Sequence, residues 1–263
     1  VVVKVSVLSS GSSGNSIYID DGTHSFLIDA GLSGKKIINS MKEIDAKPGE
    51  LDGIFVTHEH KDHIKGVGIL SRRLDIPIYA NDGTWAACEN DLGKLKSEHI
   101  NCFKGDFEFG DFNIRPINIS HDARSPVAYV VYRNNKKLVF ATDMGYIKDE
   151  LLKELYDIDL LLLESNHDID MLMSGSYPRF LKRRIRGDKG HLSNDAAADI
   201  LPQLINGKCP QVLLGHLSQE NNNPRVAYLT VENILKKKGL VVDKDLKLDL
   251  TYQDKPTKIY KIK

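Results

Sequence analysis

Apolar residues in this chain gather in short runs punctuated by Gly, Ser, Asn and Asp, and each run carries its own period. Val2–Ser9 and Asn15–Asp20 read as strands, with Asp21-Gly22 turning the chain into a third over His24–Asp29. Gly34–Ile44 places Ile37, Ile38 and Met41 on one face and reads as a helix. Ile54-Phe55-Val56 is a short buried strand, followed by a helix over Asp62–Arg73 and a strand over Ile76–Ala80 that carries Pro77 at its start. Asp82–Asn90 is a short helix in which Trp85 and Cys88, three apart, point to the core. Residues Ile100–Ile119 alternate and turn at Gly105-Asp106 and Gly110-Asp111, which predicts antiparallel strands. Val127–Arg133 and Lys137–Thr142 form a hairpin across Asn134-Asn135. Then come a helix over Asp149–Tyr156 and the fully apolar Leu160–Leu163, the pattern of a central strand. Ser193 or Asn194 caps an Ala-rich helix reaching Leu204. Gln211–Leu214 is a buried strand, Pro224–Lys238 a long helix, and Lys247–Tyr252 and Thr257–Ile262 are the last strands. Two β-rich halves, each flanked by helices, predict an α/β protein built as a four-layer αββα sandwich. With no repeat, linker or low-complexity segment, one domain over residues 1–263 is expected.

Composition narrows the partners. A chain of 263 residues with 41 % hydrophobic content is an ordinary globular protein. Lys+Arg and Asp+Glu both total 36, so no net charge draws the protein onto nucleic acid or membrane, and a polyanion site has to come from local clustering. No apolar run approaches the ~18 residues of a membrane span. Val1-Val2-Val3-Lys4-Val5 reads as a strand rather than a signal peptide. The cysteines, Cys88, Cys102 and Cys209, are odd in number and contain no C-x-x-C, which points to a reduced, cytoplasmic setting.

The densest chemistry lies in Thr57-His58-Glu59-His60-Lys61-Asp62-His63. In a still-extended segment His58 and His60 point the same way, because side chains alternate with period two. Asp62 and His63 then fall on the first turn of the following helix. Two ligand pairs on two kinds of backbone suit two metal ions side by side. Further upstream, Ser9-Ser10-Gly11-Ser12-Ser13-Gly14 offers N–H groups and hydroxyls to a phosphate. It lacks the Lys-Ser/Thr ending of a P-loop, so a tight connection is the other reading. A second dense feature is basic: Arg179, Lys182, Arg183, Arg184, Arg186 and Lys189 fall within eleven residues. They form either a positive surface suited to phosphates or a solvated helix face.

His58-x-His60-x-Asp62-His63 after a strand ending in Thr57 resembles the signature of the metallo-β-lactamase-fold hydrolases. That fold serves thioesterases, lactamases, phosphodiesterases and nucleases alike. The resemblance implies a ligand set: His58, His60 and His121 for one metal, Asp62, His63 and His216 for the other, with Asp143 bridging. His121 lies just past a strand and Asp143 at the end of one. The set holds nitrogen and oxygen only, which suits two divalent ions, zinc or manganese. It departs from the lactamase branch that uses a Cys ligand. A metal pair about 3.5–4 Å apart holds a hydroxide and clamps both oxygens of a phosphoryl displacement.

Gly190-His191-Leu192-Ser193 and Leu213-Leu214-Gly215-His216-Leu217-Ser218 resemble the late motifs of the nuclease branch, as in ribonuclease Z. The resemblance implies that His191 helps the leaving oxygen depart and that Glu164 orients it, with Asp62 the third catalytic group. A departing alkoxide is very basic and needs such an acid; a β-lactam or thioester needs it less. The stretch from Tyr146 to Gly215 is too short for a β-CASP insertion. With Ser9-Ser10-Gly11-Ser12-Ser13-Gly14-Asn15-Ser16 and Glu164-Ser165-Asn166-His167-Asp168, the chain looks most like the compact WalJ/YycJ group. That implies a 5′-end exonuclease acting on DNA rather than RNA, with Ser12, Ser13, Asn15, His167, Arg183, Arg184 and Arg186 toward the substrate. Three rivals stay open at the level of sequence: a small-molecule phosphodiesterase, an acyl hydrolase of glyoxalase II or lactamase type, and a regulatory metal protein without catalysis.

Overall fold

The computed structural model describes residues 1–205 and 207–263. Six strands form the first part of one sheet: β1 (Val3–Ser9), β2 (Ser16–Asp20), β3 (Ser25–Ile28), β4 (Gly53–Phe55), β5 (Ile78–Asn81) and β6 (Ile100–Phe103). The second sheet takes β7 (Phe107–Phe109), β8 (Phe112–Asn118), β9 (Val127–Arg133), β10 (Lys136–Ala141), β11 (Leu160–Glu164), β12 (Gln211–Gly215) and β13 (Lys247–Leu250). The last strand, β14 (Tyr260–Ile262), returns to the first sheet, whose order is β14-β1-β2-β3-β4-β5-β6; the second runs β13-β12-β11-β10-β9-β8-β7. Both sheets are mixed: β3 through β6 are parallel, as are β10 through β13, while β1, β2 and β3 meander and β9 pairs antiparallel with β10. Two seven-stranded mixed sheets with flanking helices are the components that the α/β sandwich reading predicts.

By chain contacts the molecule divides into two compact units. The first comprises Val1–Pro116, Ala123–Val127 and Tyr252–Lys263; the second comprises Ile117–Asp122 and Ala128–Thr251. In the first unit, α1 (Gly34–Glu43) is capped by Ser33 and buries Ile37, Ile38 and Met41, the three residues its period singled out. They pack with Leu27, Ile54, Ile78 and Cys88 in one apolar core. In the second unit, the core is built from Val139, Leu161, Leu163 and Leu214 of the central strands together with helical residues such as Ala197, Leu201, Val231 and Leu235.

The helix expected over Asp62–Arg73 is two: α2 (Lys61–Ile64) and α3 (Val67–Leu74). Gly66 breaks it, because its N–H donates to the Ala30 carbonyl at 2.7 Å. The space at Gly66 is closed by backbone: a Cβ there would lie 2.4 Å from the Leu32 carbonyl oxygen. Tertiary contact overrides a helical period here. After α4 (Asp82–Leu92) and α5 (Asp149–Glu154), two helices appear that the apolar pattern did not suggest, α6 (Ile169–Ser174) and α7 (Arg179–Ile185). The reason is plain in α7, which buries none of its side chains and so carries no hydrophobic period. The Ala-rich helix α8 covers Asn194–Ile200, with the Ser193 hydroxyl accepting from the Ala196 N–H. The stretch to Leu204 tightens into a 3-10 turn, since Pro202 brings no N–H to an α ladder. A long α9 (Pro224–Lys237) follows. The last predicted strand is shorter than its period, because the Thr257 hydroxyl takes the Val7 N–H at 3.0 Å in place of a ladder carbonyl.

Candidate functional site

In the first unit, the metal-ligand motif hangs from the end of β4 and is fastened by a carboxylate that the sequence reading passed over, Asp29. Its Oδ1 accepts from the Thr57 N–H at 2.8 Å, and its Oδ2 from the Thr57 hydroxyl and from His63 Nδ1, both at 2.7 Å. The His63 proton therefore sits on Nδ1, and Nε2 is the unprotonated nitrogen, its lone pair facing the Asn15 side-chain amide at 2.9 Å. Thr57 Oγ1, its own hydrogen used on Asp29, lies 3.0 Å from His58 Nδ1 and fixes that ring in the same sense. The His58 ring centroid is 4.7 Å from that of His60 and 4.0 Å from that of His63. His60 is the N-cap residue of α2, so its side chain leaves from extended backbone while His63 leaves from the helix. The Asp62 carboxylate is 3.6 Å from His63 Nε2.

Close backbone packing keeps this motif in place. A Cβ at Gly31 would stand 1.6 Å from the Asp62 carbonyl oxygen, so only glycine lets the loop after β3 lie against the motif. Asn15 joins the same cluster: its N–H donates to the Asp62 carbonyl at 2.7 Å, and its side-chain amide contacts Gly11 and His63 Nε2. Expected to face substrate, the Asn15 amide is occupied in bracing the motif. The Ser-Gly loop is largely self-contained, with the Ser10, Gly11 and Gly14 N–H groups all bonded within the protein. Ser12 and Ser13 remain its exposed residues.

In the second unit, the parallel strands deliver their polar residues from their C-terminal ends, as parallel sheets do. Just past β10 comes Asp143, past β12 comes His216, and β11 itself ends in Glu164. Asp143 and His216 take left-handed backbone, φ 61° and 54°, which lets the chain turn sharply where the strands stop. His216 Nδ1 is 3.1 Å from Asp143 Oδ2, and His121 Nε2 is 4.0 Å from Asp143 Oδ1. One donor atom from each of Asp143, Glu164, His191 and His216 lies within 4.8 Å of the others. Burial, outweighing the nearby carboxylates, lowers the pKa of His121 and so keeps its ring neutral and able to ligate.

Glu164 is fully buried. An unpaired carboxylate there would cost several kcal/mol, on the order of the effective penalty for a buried ion. Three donors offset it: the Met144 N–H at 2.8 Å, the Leu192 N–H at 3.3 Å and His191 Nδ1 at 2.7 Å. For His191, burial pulls the pKa down, but the charge and hydrogen bond of Glu164, helped by Asp143 and Asp122, carry it up to about 9. The ring thus holds its proton at neutral pH, with Nδ1 given to Glu164 and Nε2–H left over. His167 differs. It is buried, its Nδ1 has no hydrogen-bond partner among the described residues, and burial lowers its pKa to about 4. Buried Ser165, Asn194 and Asn222 bond to one another, and Asn166 Nδ2 donates to the His216 carbonyl at 2.9 Å.

The expected donors are nitrogen and oxygen, a set that suits zinc or manganese, and no cysteine joins a donor cluster among the described residues. Cys88 is buried in the first core, while Cys102 and Cys209 are exposed free thiols. The carboxylate that orients His63 gives a first prediction. Asp29→Asn should lower metal affinity by about 10–100-fold, the usual cost of losing such an outer partner. Competition with a chromogenic chelator measures it; unchanged affinity would remove Asp29 from that role.

Residues 24–216 match the family described as Beta-lactamase superfamily domain. The chain is 43 % identical over 263 residues to Exodeoxyribonuclease WalJ of Streptococcus pneumoniae serotype 2, a match that covers 98 % of each. It is 40 % identical over 256 residues to Exodeoxyribonuclease YycJ of Bacillus anthracis, covering 97 % of each. Among solved structures, the metallo-beta-lactamase fold protein YhfI from Bacillus subtilis superposes with a TM-score of 0.74 at 18 % identity, over 99 % of this chain and 100 % of that one. At that identity the likeness speaks for the fold alone.

Proposed function

This chain belongs to the metallo-β-lactamase superfamily, and from that premise we propose that it is a metal-dependent exodeoxyribonuclease that works from 5′ ends. The observation that carries the reading is the near-full-length likeness, at 43 % and 40 % identity, to two exodeoxyribonucleases. His58, His60 and His121 would hold one metal, Asp62, His63 and His216 the other, and Asp143 would serve both, with residues 1–263 acting as one domain. Two divalent ions, zinc or manganese, supply Lewis acidity toward the phosphoryl oxygens and a nucleophile at neutral pH.

The protein's own groups do the rest. Glu164 accepts from His191 Nδ1 and so fixes the ring, and His191 gives its Nε2 proton to the oxygen that leaves. Asp62 serves as both ligand and catalytic carboxylate. Arg183, Arg184 and Arg186 attract the DNA backbone, and Ser12, Ser13 and His167 also contact substrate. Arg184 is held by Asp122, the neighbour of His121, with Nε at 2.9 Å from Oδ2. The exposed free thiols support a cytoplasmic setting. No helix among the described residues is long and apolar enough to cross a membrane.

End-labelled DNA tests the polarity. Metal-loaded protein should release 5′ label early as mononucleotide while 3′ label stays on a shortening strand. Early release of 3′ label, or of internal fragments, would overturn the 5′-end reading.

A further inference from the structure

Helix α7 is an unusual use of chain. It buries no side chain, yet polar bonds hold it firmly. Lys182 Nζ donates to the Met173 and Gly175 carbonyls, both at 2.7 Å, and ties α7 to the end of α6. Arg184 is fixed by Asp122. At the far end the His191 N–H donates to the Ile185 carbonyl at 2.8 Å, so α7 leads straight into the loop that carries the acid. A helix fastened this way and left out of the core presents its side chains to something else.

What it presents is a basic cavity and, on the same helix, an exposed aromatic. The cavity holds about 600 Å³ and is lined by Met173, Arg179, Lys182, Arg183 and Arg186, with no carboxylate among them. Arg179 and Arg183 have no side-chain partner among the described residues, and Arg179, Arg183 and Arg186 follow one another at spacings of four and three along one helix face. Phe180 is 69 % exposed and Met173 50 %. A single exposed Phe is unremarkable on a protein surface. On a helix that also carries Arg179 and Arg183, it has the makings of a base-stacking platform with a phosphate-binding groove. Inside a duplex the base faces are covered by neighbouring pairs, so an unpaired base, free on both faces, suits this platform best.

We propose that the α6–α7 hairpin is a subsite for unpaired DNA, in which Phe180 stacks on a base while Arg179, Arg183 and Arg186 hold adjoining phosphates. The proposal rests on the exodeoxyribonuclease reading and adds to it the state of the strand. The hairpin receives a single strand, so a duplex end has to be parted before its strand reaches His191.

The test uses the metal-loaded protein and two hydrolysis-resistant phosphorothioate oligomers of equal length, an oligothymidylate and an abasic strand, read by fluorescence anisotropy. Phe180→Ala should weaken oligothymidylate binding roughly 10-fold, within the range for loss of one stacked base, and leave the abasic strand alone. Phe180→Trp should restore it. Arg179→Ala with Arg183→Ala should weaken both oligomers and lower the salt slope by about 0.7 per lost phosphate contact. If Phe180→Ala weakens both strands equally, or neither, the stacking subsite is refuted while the exonuclease reading stands. A wild-type protein that degrades no DNA under conditions where it hydrolyses a small phosphodiester would bring down the parent reading instead.

Discussion

Asp143→Ala protein is expected to lose bound metal and to hydrolyse no substrate, whatever its leaving group. Asp143 is buried, with His216 Nδ1 3.1 Å from one carboxylate oxygen and His121 Nε2 4.0 Å from the other. Both are proposed ligands, one for each metal, so this carboxylate is the shared negative charge in a set otherwise rich in neutral imidazoles. Removing it costs both metals an oxygen ligand. The failure should therefore be uniform, on DNA and on a bis-nitrophenyl phosphate alike. Metal analysis by mass spectrometry and rates on the two substrates check it. Asp143→Asn, which keeps the shape, guards against a folding defect and should fail in the same way. Full metal content with selective loss on DNA would contradict the bridging role.

His191→Ala should behave differently. Both metals should stay, and DNA hydrolysis should slow by about 10²–10⁴-fold, the usual range for a lost general acid. With nitrophenolate as leaving group the deficit should shrink, because that anion departs without a proton. The geometry behind this is the 2.7 Å contact between His191 Nδ1 and Glu164, itself anchored by two backbone N–H groups. Glu164→Gln should follow the same pattern more mildly, since it removes the charge that orients and loads the ring but leaves the ring in place. Loss of a metal equivalent from His191→Ala would make His191 a ligand and end its part as acid.

The candidate donors were legible in the chain because four share one short motif and the rest follow apolar runs. Four donors in six residues after a strand announce themselves, and Asp143, Glu164 and His216 each follow an apolar run that reads as a strand. Strand ends are where a parallel sheet exposes functional groups, so pattern and chemistry agree. Asp29 obeys the same rule, standing just past β3, and that signal was available. It was missed because its work is to bond Thr57 and His63, some thirty residues away, and no spacing announces such a partner. Asn15 has an engagement that no spacing announces either: its amide bonds to Gly11 and the metal-ligand motif, a contact that depends on the packing of the loop after β3. The break at Gly66 and the helix α7 have opposite causes. At Gly66 a backbone contact overrides a good helical period; in α7 a real helix has no apolar period to betray it.

The most direct measurement is DNA hydrolysis by protein stripped of metal, followed as zinc or manganese is returned, with a thioester assayed in parallel. The predicted result is no nucleotide release from the stripped protein, a rise that saturates near two metal equivalents, and little thioester turnover at any point. Nucleotide release that persists without metal, or fast thioester turnover with DNA left intact, would contradict the assignment as a metal-dependent exodeoxyribonuclease.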